Sequence, residues 1–176
     1  MTLVGASSLS FRERRMELPA IIDLEASGFG RGSYPIEVGV KLPDGTVHAL
    51  LIKPATSWDH WDENAQAIHG ISREQLMEQG KTVREVAIFL NDLCRGQTLY
   101  SDAWSFDSSW LGRLFDEAEI VQRFKLDTLM RLLTESELAR WSDTKDAMAK
   151  VLALELHRAA NDVQLLSETF KKIKEN

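Results

Sequence analysis

The chain has 176 residues, of which 44% are hydrophobic and 27% charged, and its formal net charge is −6; this suits one folded domain with a substantial core. The negative balance argues against extensive tracking along duplex DNA, which needs a basic surface for its phosphate contacts. No apolar run approaches the ~20 residues of a membrane span, and the single Cys94 excludes an internal disulfide, so a cytoplasmic protein without membrane contact is expected.

The first predicted unit is an N-terminal arm. Residues 1–17 have a weak apolar pattern and a charged RERR cluster, which predicts a flexible segment. Residues 18–176 contain no repeat, low-complexity tract or linker, and a single domain is therefore expected over that range.

Three strands are predicted after the arm. LPAIIDLE (18–25) has the composition of a buried strand, and SYPIEVGVKL (33–42) contains a stretch of alternating pattern. The turn sequence Pro43-Asp44-Gly45 precedes TVHALLIKP (46–54), which returns as the third strand. The three strands are therefore expected to form an antiparallel meander.

Helical patterns dominate the rest of the chain. The clearest is TVREVAIFLNDLC, where Thr82 is the predicted N-cap and Glu85 completes a capping box. The element order predicts an α/β fold, with one mixed five-stranded sheet and helices on both faces. The other predicted helices are 63–70, 72–80, 106–120, 128–133, 143–156 and 161–175, and the fourth and fifth strands are 97–101 and 125–128.

Two acids interrupt the first apolar strand. Asp23 and Glu25 are two positions apart, so their side chains leave the strand on the same face, where they repel each other. A divalent cation between them would remove the repulsion, since hard cations prefer carboxylate oxygens. The alternative is a strand whose acids emerge at its exposed end.

Two further acids and a histidine stand near helix starts. Asp107 follows a strand and begins a helix, where the helix dipole alone would favour it; the preceding Phe106 is expected to be buried and to aim Asp107 over the sheet edge. Asp162 lies five positions after His157. The plain alternatives are that Asp162 caps the last helix and that His157 is an ordinary histidine at a helix end.

Taken in order, these patterns resemble a known family. D-x-E in the first strand, F-D after the fourth and H-x(4)-D before the last helix are similar to the DEDD superfamily of 3′–5′ exonucleases. That family includes polymerase proofreading subunits, RNase T and oligoribonuclease. The resemblance covers about residues 19–170 and includes AIHGIS (67–72). Arg158 stands where the tyrosine subgroup has tyrosine, so the histidine subgroup is preferred. The implied fold is ribonuclease H-like.

The resemblance implies a two-metal mechanism. Asp23, Glu25, Asp107 and Asp162 would hold two divalent ions, Mg²⁺ or Mn²⁺, with Asp23 bridging them. Glu25 and Asp162 would complete the site for the attacking water, and Asp107 would serve the leaving-group side. His157 would act as the general base. The product would be a nucleoside 5′-monophosphate released from the 3′ end.

Substrate contacts are predicted around the D-x-E stretch. The small residues after it would lie against the terminal nucleotide, as the resemblance implies, or simply form a turn. The histidine of AIHGIS would lie near the terminal sugar or fix a local turn. Trp58, Trp61 and Trp104 could each stack on bases or simply pack in the core or at its edge, and Trp104, beside F-D, is the best stacking candidate. The candidate contacts are Ala26, Ser27, Gly28, His69 and Trp104.

One departure from the family pattern and several alternatives stay open. Asp102 stands where many members have His or Asn, and this extra acid could weaken phosphate approach or alter metal preference. The expected substrate is single-stranded or short nucleic acid; the acidic balance slightly favours short oligonucleotides or RNA ends, but DNA and RNA are not distinguished. Homodimerisation and a polymerase partner are left open. The competing class is a catalytically inactive nucleotide- or nucleic-acid-binding domain with the same fold.

Overall fold

The computed structural model describes residues 17–175, so all but the last residue of the predicted arm lies outside the described residues. Within this range the chain forms five strands and seven α-helices. The strands are β1 (Ala20–Ala26), β2 (Pro35–Lys41), β3 (Val47–Leu51), β4 (Thr98–Ser101) and β5 (Lys125–Thr128). The helices are α1 (Glu63–His69), α2 (Arg73–Gln79), α3 (Val83–Cys94), α4 (Trp104–Ala118), α5 (Glu135–Leu138), α6 (Trp141–Leu152) and α7 (Ala159–Lys174).

The sheet has the strand order β3-β2-β1-β4-β5. The β1–β2 and β2–β3 pairs are antiparallel, and the β1–β4 and β4–β5 pairs are parallel. The predicted meander is confirmed: Leu42 and Thr46 close its turn through a backbone hydrogen bond of 2.9 Å, and the Asp44 carboxylate accepts from the Thr46 backbone N–H. The predicted mixed five-stranded sheet is therefore correct.

Helices cover both faces of the sheet. Ile22 and Leu24 of β1 belong to the larger core, which includes residues of α3 and α4. Ile21 points to the opposite face and packs in a second core with α7 residues such as Val163 and Leu166. Because both faces of β1 are covered by helices, a polar side chain on this strand needs a partner or a cleft.

Helix α7 begins in direct contact with strand β2. Gly39 lies opposite Asp23 in the β1–β2 register, and a Cβ built on Gly39 would lie 2.4 Å from the carbonyl oxygen of Ala159. Only glycine leaves room for this approach. The first turn of α7 is consequently held against β2, next to the strand that carries the D-x-E acids.

Several predicted helix boundaries are corrected. The helix predicted at 143–156 begins at Trp141, which is buried, and ends at Leu152, because Ala153 adopts a left-handed φ of 49°. The last helix begins at Ala159 rather than at residue 161. The predicted 128–133 helix is a 3₁₀ turn over Leu129–Leu132, and the short α5 was missed. No helix within residues 17–175 is both long and apolar enough to cross a membrane.

Candidate active site

Strand β1 presents the first two acids. Asp23 and Glu25 share the strand face of Ile21, which contacts the α7 layer, and both are partly buried. Glu25 lies opposite Glu37 of β2, and Asp23 lies opposite Gly39. The two carboxylates therefore emerge next to the first turn of α7.

The third acid comes from the start of α4. Asp107 lies in the first turn of this helix, yet it is only 1% exposed. The Ser101 hydroxyl, at the end of β4, donates a hydrogen bond to the Asp107 carboxylate, and its oxygen accepts from the Ala103 backbone N–H at 3.0 Å. An acid favoured only by the helix dipole would stay in solvent, so this burial needs another reason.

His157 and Asp162 reach the same place from the start of α7. Arg158 is the N-cap residue and Asp162 lies inside the first turn, so the alternative that Asp162 caps the helix is wrong. His157 is exposed and has a left-handed φ of 62°. One potential ligand atom each of Glu25, His157 and Asp162 lies within 4.8 Å of the other two.

All five predicted residues line one cleft of about 370 Å³, here called the acid cleft. They come from β1, from the start of α4 and from the α6–α7 junction, and they span more than 130 positions of the sequence. The roles assigned to them remain predictions; their convergence is a property of the fold. The five are Asp23, Glu25, Asp107, His157 and Asp162.

Burial raises the pKa of all four acids, and repulsion from the other acids adds to this at Asp23 and Glu25. Burial, followed by the charges of Asp107 and Asp162, raises the pKa of Asp23 well above its ordinary range. Burial and the charge of Asp162 raise the pKa of Glu25 to about 8. Burial raises the pKa of Asp107 to about 7 and also raises that of Asp162, where nearby His157 partly offsets it. Without a cation, the cleft therefore retains protons near neutral pH.

This donor set fits hard divalent cations. Carboxylate oxygens are the ligands that Mg²⁺ and Mn²⁺ prefer, and a bound cation would replace the protons that the acids otherwise retain. One imidazole without a thiolate differs from the nitrogen- and sulfur-rich sets of structural zinc sites. The chemistry of the acids is thus consistent with the predicted metals.

The departure at Asp102 has a partner. Asp102 lines the cleft, and the Lys145 ammonium donates to its Oδ2 at 2.5 Å. The Asp102 charge contributes to the raised pKa values of Asp23 and Asp107. Sequence reasoning identified the acid but missed the lysine, because 43 positions separate them.

Beside the acid cleft lies a smaller, mostly apolar cavity of about 140 Å³, here called the side slot. Among the predicted contacts, Ala26, Gly28 and His69 line it, together with Glu25 and His157, which also line the acid cleft. These apolar walls were not predicted from the sequence. Phe29, an aromatic residue between two glycines, could have indicated an exposed apolar surface. Those walls include Phe29, Ile68 and Trp110.

His69 has one satisfied and one unsatisfied ring nitrogen. Nδ1 accepts a hydrogen bond from the Ile71 backbone N–H at 3.1 Å, so the histidine fixes the predicted local turn. Nε2 is buried and has no hydrogen-bond partner among the described residues. Burial lowers the pKa of His69, and the neutral ring must carry its proton on Nε2. A residue that lines the side slot therefore carries a buried donor without a partner among the described residues.

Ser27 and Gly28 form a tightly packed turn. Ser27 is fully buried, and its Oγ lies 2.9 Å from His60 Nδ1 and accepts from the Tyr34 backbone N–H. Gly28 has a φ of 142°, and a Cβ there would lie 2.6 Å from the Asp62 Cβ. The close approach thus has a structural cause, and Ser27 is not among the residues that line the cleft or the side slot.

The aromatic residues around F-D differ from expectation. Phe106 was expected to be buried but is 49% exposed, and its ring stacks on Trp110 at 5.8 Å. The Asp107 side chain is instead buried and held by the hydrogen bond from the Ser101 hydroxyl. Trp104 is exposed but does not line the cleft; its indole N–H donates to the Leu126 carbonyl at 3.3 Å.

The two other tryptophans behave as the core alternative predicts. Trp58 is buried and stacks on Tyr34. Trp61 is half-buried, and its indole N–H donates to Gln66. Both therefore have partners within the protein.

No protein-family model matches the sequence, and no curated protein matches it. The structure, however, is similar to solved structures of exonuclease I. A zinc-bound E. coli exonuclease I–ssDNA complex has a TM-score of 0.69 and 14% identity over 89% of this chain and 40% of that chain. The predicted ribonuclease H-like fold is therefore confirmed.

Other exonuclease I structures agree. A product-bound form has a TM-score of 0.68 at 14% identity over 89% of this chain and 43% of that chain. Exonuclease I from Methylocaldum szegediense has a TM-score of 0.54 at 17% identity over 69% of this chain and 29% of that chain. This chain therefore spans less than half the length of these proteins, and the likeness concerns the fold.

Proposed function

We propose that this chain is a divalent-metal-dependent 3′–5′ exonuclease that releases nucleoside 5′-monophosphates from single-stranded or short DNA or RNA. The observation that carries the proposal is the convergence of four acids and His157 in one cleft. The similar E. coli protein is described in complex with ssDNA, which supports a single-stranded substrate. The charge of −6 supports a substrate held at one end rather than along its length.

Four carboxylates would hold the cations. Asp23 interacts with the charges of both Asp107 and Asp162, which suits a ligand shared between two ions. Glu25 and Asp162 would complete one position, and Asp107 the other. Two such ions would stabilise the incoming and departing oxygens of an in-line displacement at phosphorus.

His157 would accept the proton of the attacking water. Its side chain is exposed at the cleft wall and lies close to Glu25 and Asp162. Histidine is the side chain that most often serves as a general base in enzymes. The left-handed backbone at His157 turns the chain into α7, so base and acid project from one short segment.

The side slot would receive the terminal nucleoside. Phe29 is 66% exposed and makes an edge contact with Phe106, which leaves apolar surface for a base or sugar. The Nε2–H of His69 would donate to a sugar oxygen, because a buried donor without a partner is costly. Ala26 and Gly28 would form one wall.

The proposal is tested with a 5′-labelled single strand, offered as DNA and as RNA in parallel with Mg²⁺ or Mn²⁺ and with EDTA. A ladder of shortened 5′-labelled products that EDTA abolishes is expected. Asp23→Asn should remove both the ladder and most of the metal affinity. A strand left intact in all metal conditions, yet bound by the protein, would favour the inactive binding domain.

A further inference from the structure

One lysine lines the acid cleft. Among residues 17–175, Lys145 of α6 is the one lysine or arginine that lines it. Its ammonium lies 2.5 Å from Asp102 Oδ2, with side-chain exposures of 35% and 17%. The pair joins the end of β4 to α6 across the cleft wall.

The ammonium keeps hydrogen-bonding capacity beyond this pair. A lysine has three N–H donors, and Asp102 is the acceptor found for Lys145 among the described residues. Lys145 also lines the cleft, in which an anionic substrate must approach several carboxylates. The pair is half-buried, so thermal unfolding must separate any stabilising role from a role in binding.

From this placement we propose that Lys145 contacts a substrate phosphate and that Asp102 is its positioning residue. The inference rests on the proposed function. Lys145 donates to a non-bridging phosphate oxygen at the cleft wall, while Asp102 restricts the flexible lysine chain to that wall. Without Lys145, Asp102 would add uncompensated negative charge next to Asp23 and Asp107.

The test compares Lys145→Met, Asp102→Asn, the double variant and a control, Lys150→Met, which removes an exposed charge from the same helix. Steady-state cleavage gives KM and kcat, and fluorescence anisotropy with Ca²⁺ in place of Mg²⁺ gives binding of a 5′-fluorescein oligonucleotide. Thermal unfolding measures any structural effect.

Lys145→Met should raise KM and Kd about tenfold, as expected for loss of one charge-assisted contact, with kcat nearly unchanged. It should also lower the salt slope of binding by about 0.7, the value for one phosphate contact on a single strand. Asp102→Asn should have a smaller effect in the same direction, and the double variant should match Lys145→Met. Lys150→Met should resemble the wild type.

If Lys145→Met and Asp102→Asn lower the unfolding temperature equally and leave KM unchanged, the pair has only a structural role and the inference is overturned. Tighter binding by Asp102→Asn without an effect of Lys145→Met would also overturn it, since Asp102 would then simply repel phosphate. In both cases the wild type still cleaves. A wild type that neither binds nor cleaves would instead overturn the proposed function, and the inference with it.

Discussion

Arg158 and Glu37 form a two-point ion pair that ties the start of α7 to strand β2. Arg158 donates to Glu37 from Nε at 3.2 Å and from Nη2 at 2.9 Å, and the Ala159 backbone N–H donates to the same carboxylate at 3.0 Å. Glu37 is 3% exposed and lies opposite Glu25 in the sheet. Its three hydrogen bonds hold the segment that carries His157.

Glu37→Gln should destabilise the protein and slow cleavage. The substitution removes the charge from a buried, fully bonded carboxylate, so we expect a loss of about 1–3 kcal/mol in the free energy of unfolding. Denaturant unfolding and kcat measure the two effects. Lys41→Met is the matched control, because Lys41 pairs with Glu168 of α7 away from the cleft. If the control lowered kcat equally, general loosening of α7 would explain the effect.

Gly39→Ala should have a large effect for a single methyl group. The new Cβ would overlap the Ala159 carbonyl oxygen, so α7 must shift and we expect a cost of about 1–3 kcal/mol together with reduced cleavage. Gly112→Ala in α4 is the control: apart from its chain neighbours and the backbone of its own helix, no described atom lies within 4 Å of its Cβ position. In a helix this change should stabilise by roughly 0.5–1 kcal/mol, and unfolding of both variants by urea tests the contrast.

Divalent metal should stabilise the protein more at high pH than at low pH. The folded-state pKa values of Asp107 and Glu25 are raised to about 7 and about 8. The stability associated with their protonated forms is full below the unfolded pKa of about 4 and is lost as pH rises through 7 and 8. The metal-free protein should therefore lose stability from pH 5 to pH 8.5.

Mg²⁺ or Mn²⁺ should restore that loss, so the rise in Tm on adding metal should grow over the same pH range. Thermal unfolding with EDTA and with metal at several pH values measures it. A rise in Tm that is independent of pH would show that the cation does not replace these protons.

His157→Ala should slow cleavage by a factor of roughly 10²–10⁴, the usual contribution of a general base, with little change in Mn²⁺ affinity. Single-turnover cleavage and a Mn²⁺ titration separate the two. His157 also lies close enough to Glu25 and Asp162 to bind a metal ion with them. A large loss of Mn²⁺ affinity in the variant would support that role instead. Asparagine tolerates the left-handed backbone at this position better than alanine does. His157→Asn should nevertheless slow cleavage as much as His157→Ala, because both variants lack the imidazole.

Phe29→Ala should raise KM through lost stacking of the terminal nucleoside. Base stacking contributes about 1–3 kcal/mol, and an exposed side chain such as Phe29 adds little to stability, so Tm should stay almost constant. Val121→Ala is the control, because Val121 is 76% exposed and does not line the side slot. An unchanged KM for Phe29→Ala would show that the terminal nucleoside does not stack on Phe29.

The sequence by itself determined the elements whose signals are local. The capping box of Thr82 and Glu85 marks the start of α3, and the Pro43-Asp44-Gly45 turn fixes the β2–β3 hairpin. Alternation along β1 is enough to put Asp23 and Glu25 on one face. These inferences hold because each depends on neighbours within a few positions.

Only the tertiary structure decided which distant residues meet. The Arg158–Glu37 pair joins positions 121 apart, and no local pattern predicts such a partner. The burial of Asp107 and the exposure of Phe106 likewise depend on how α4 packs against the sheet. The resemblance of the spaced acids predicted a shared site, but their burial, their raised pKa values and the lysine beside them follow from long-range packing, which governs desolvation.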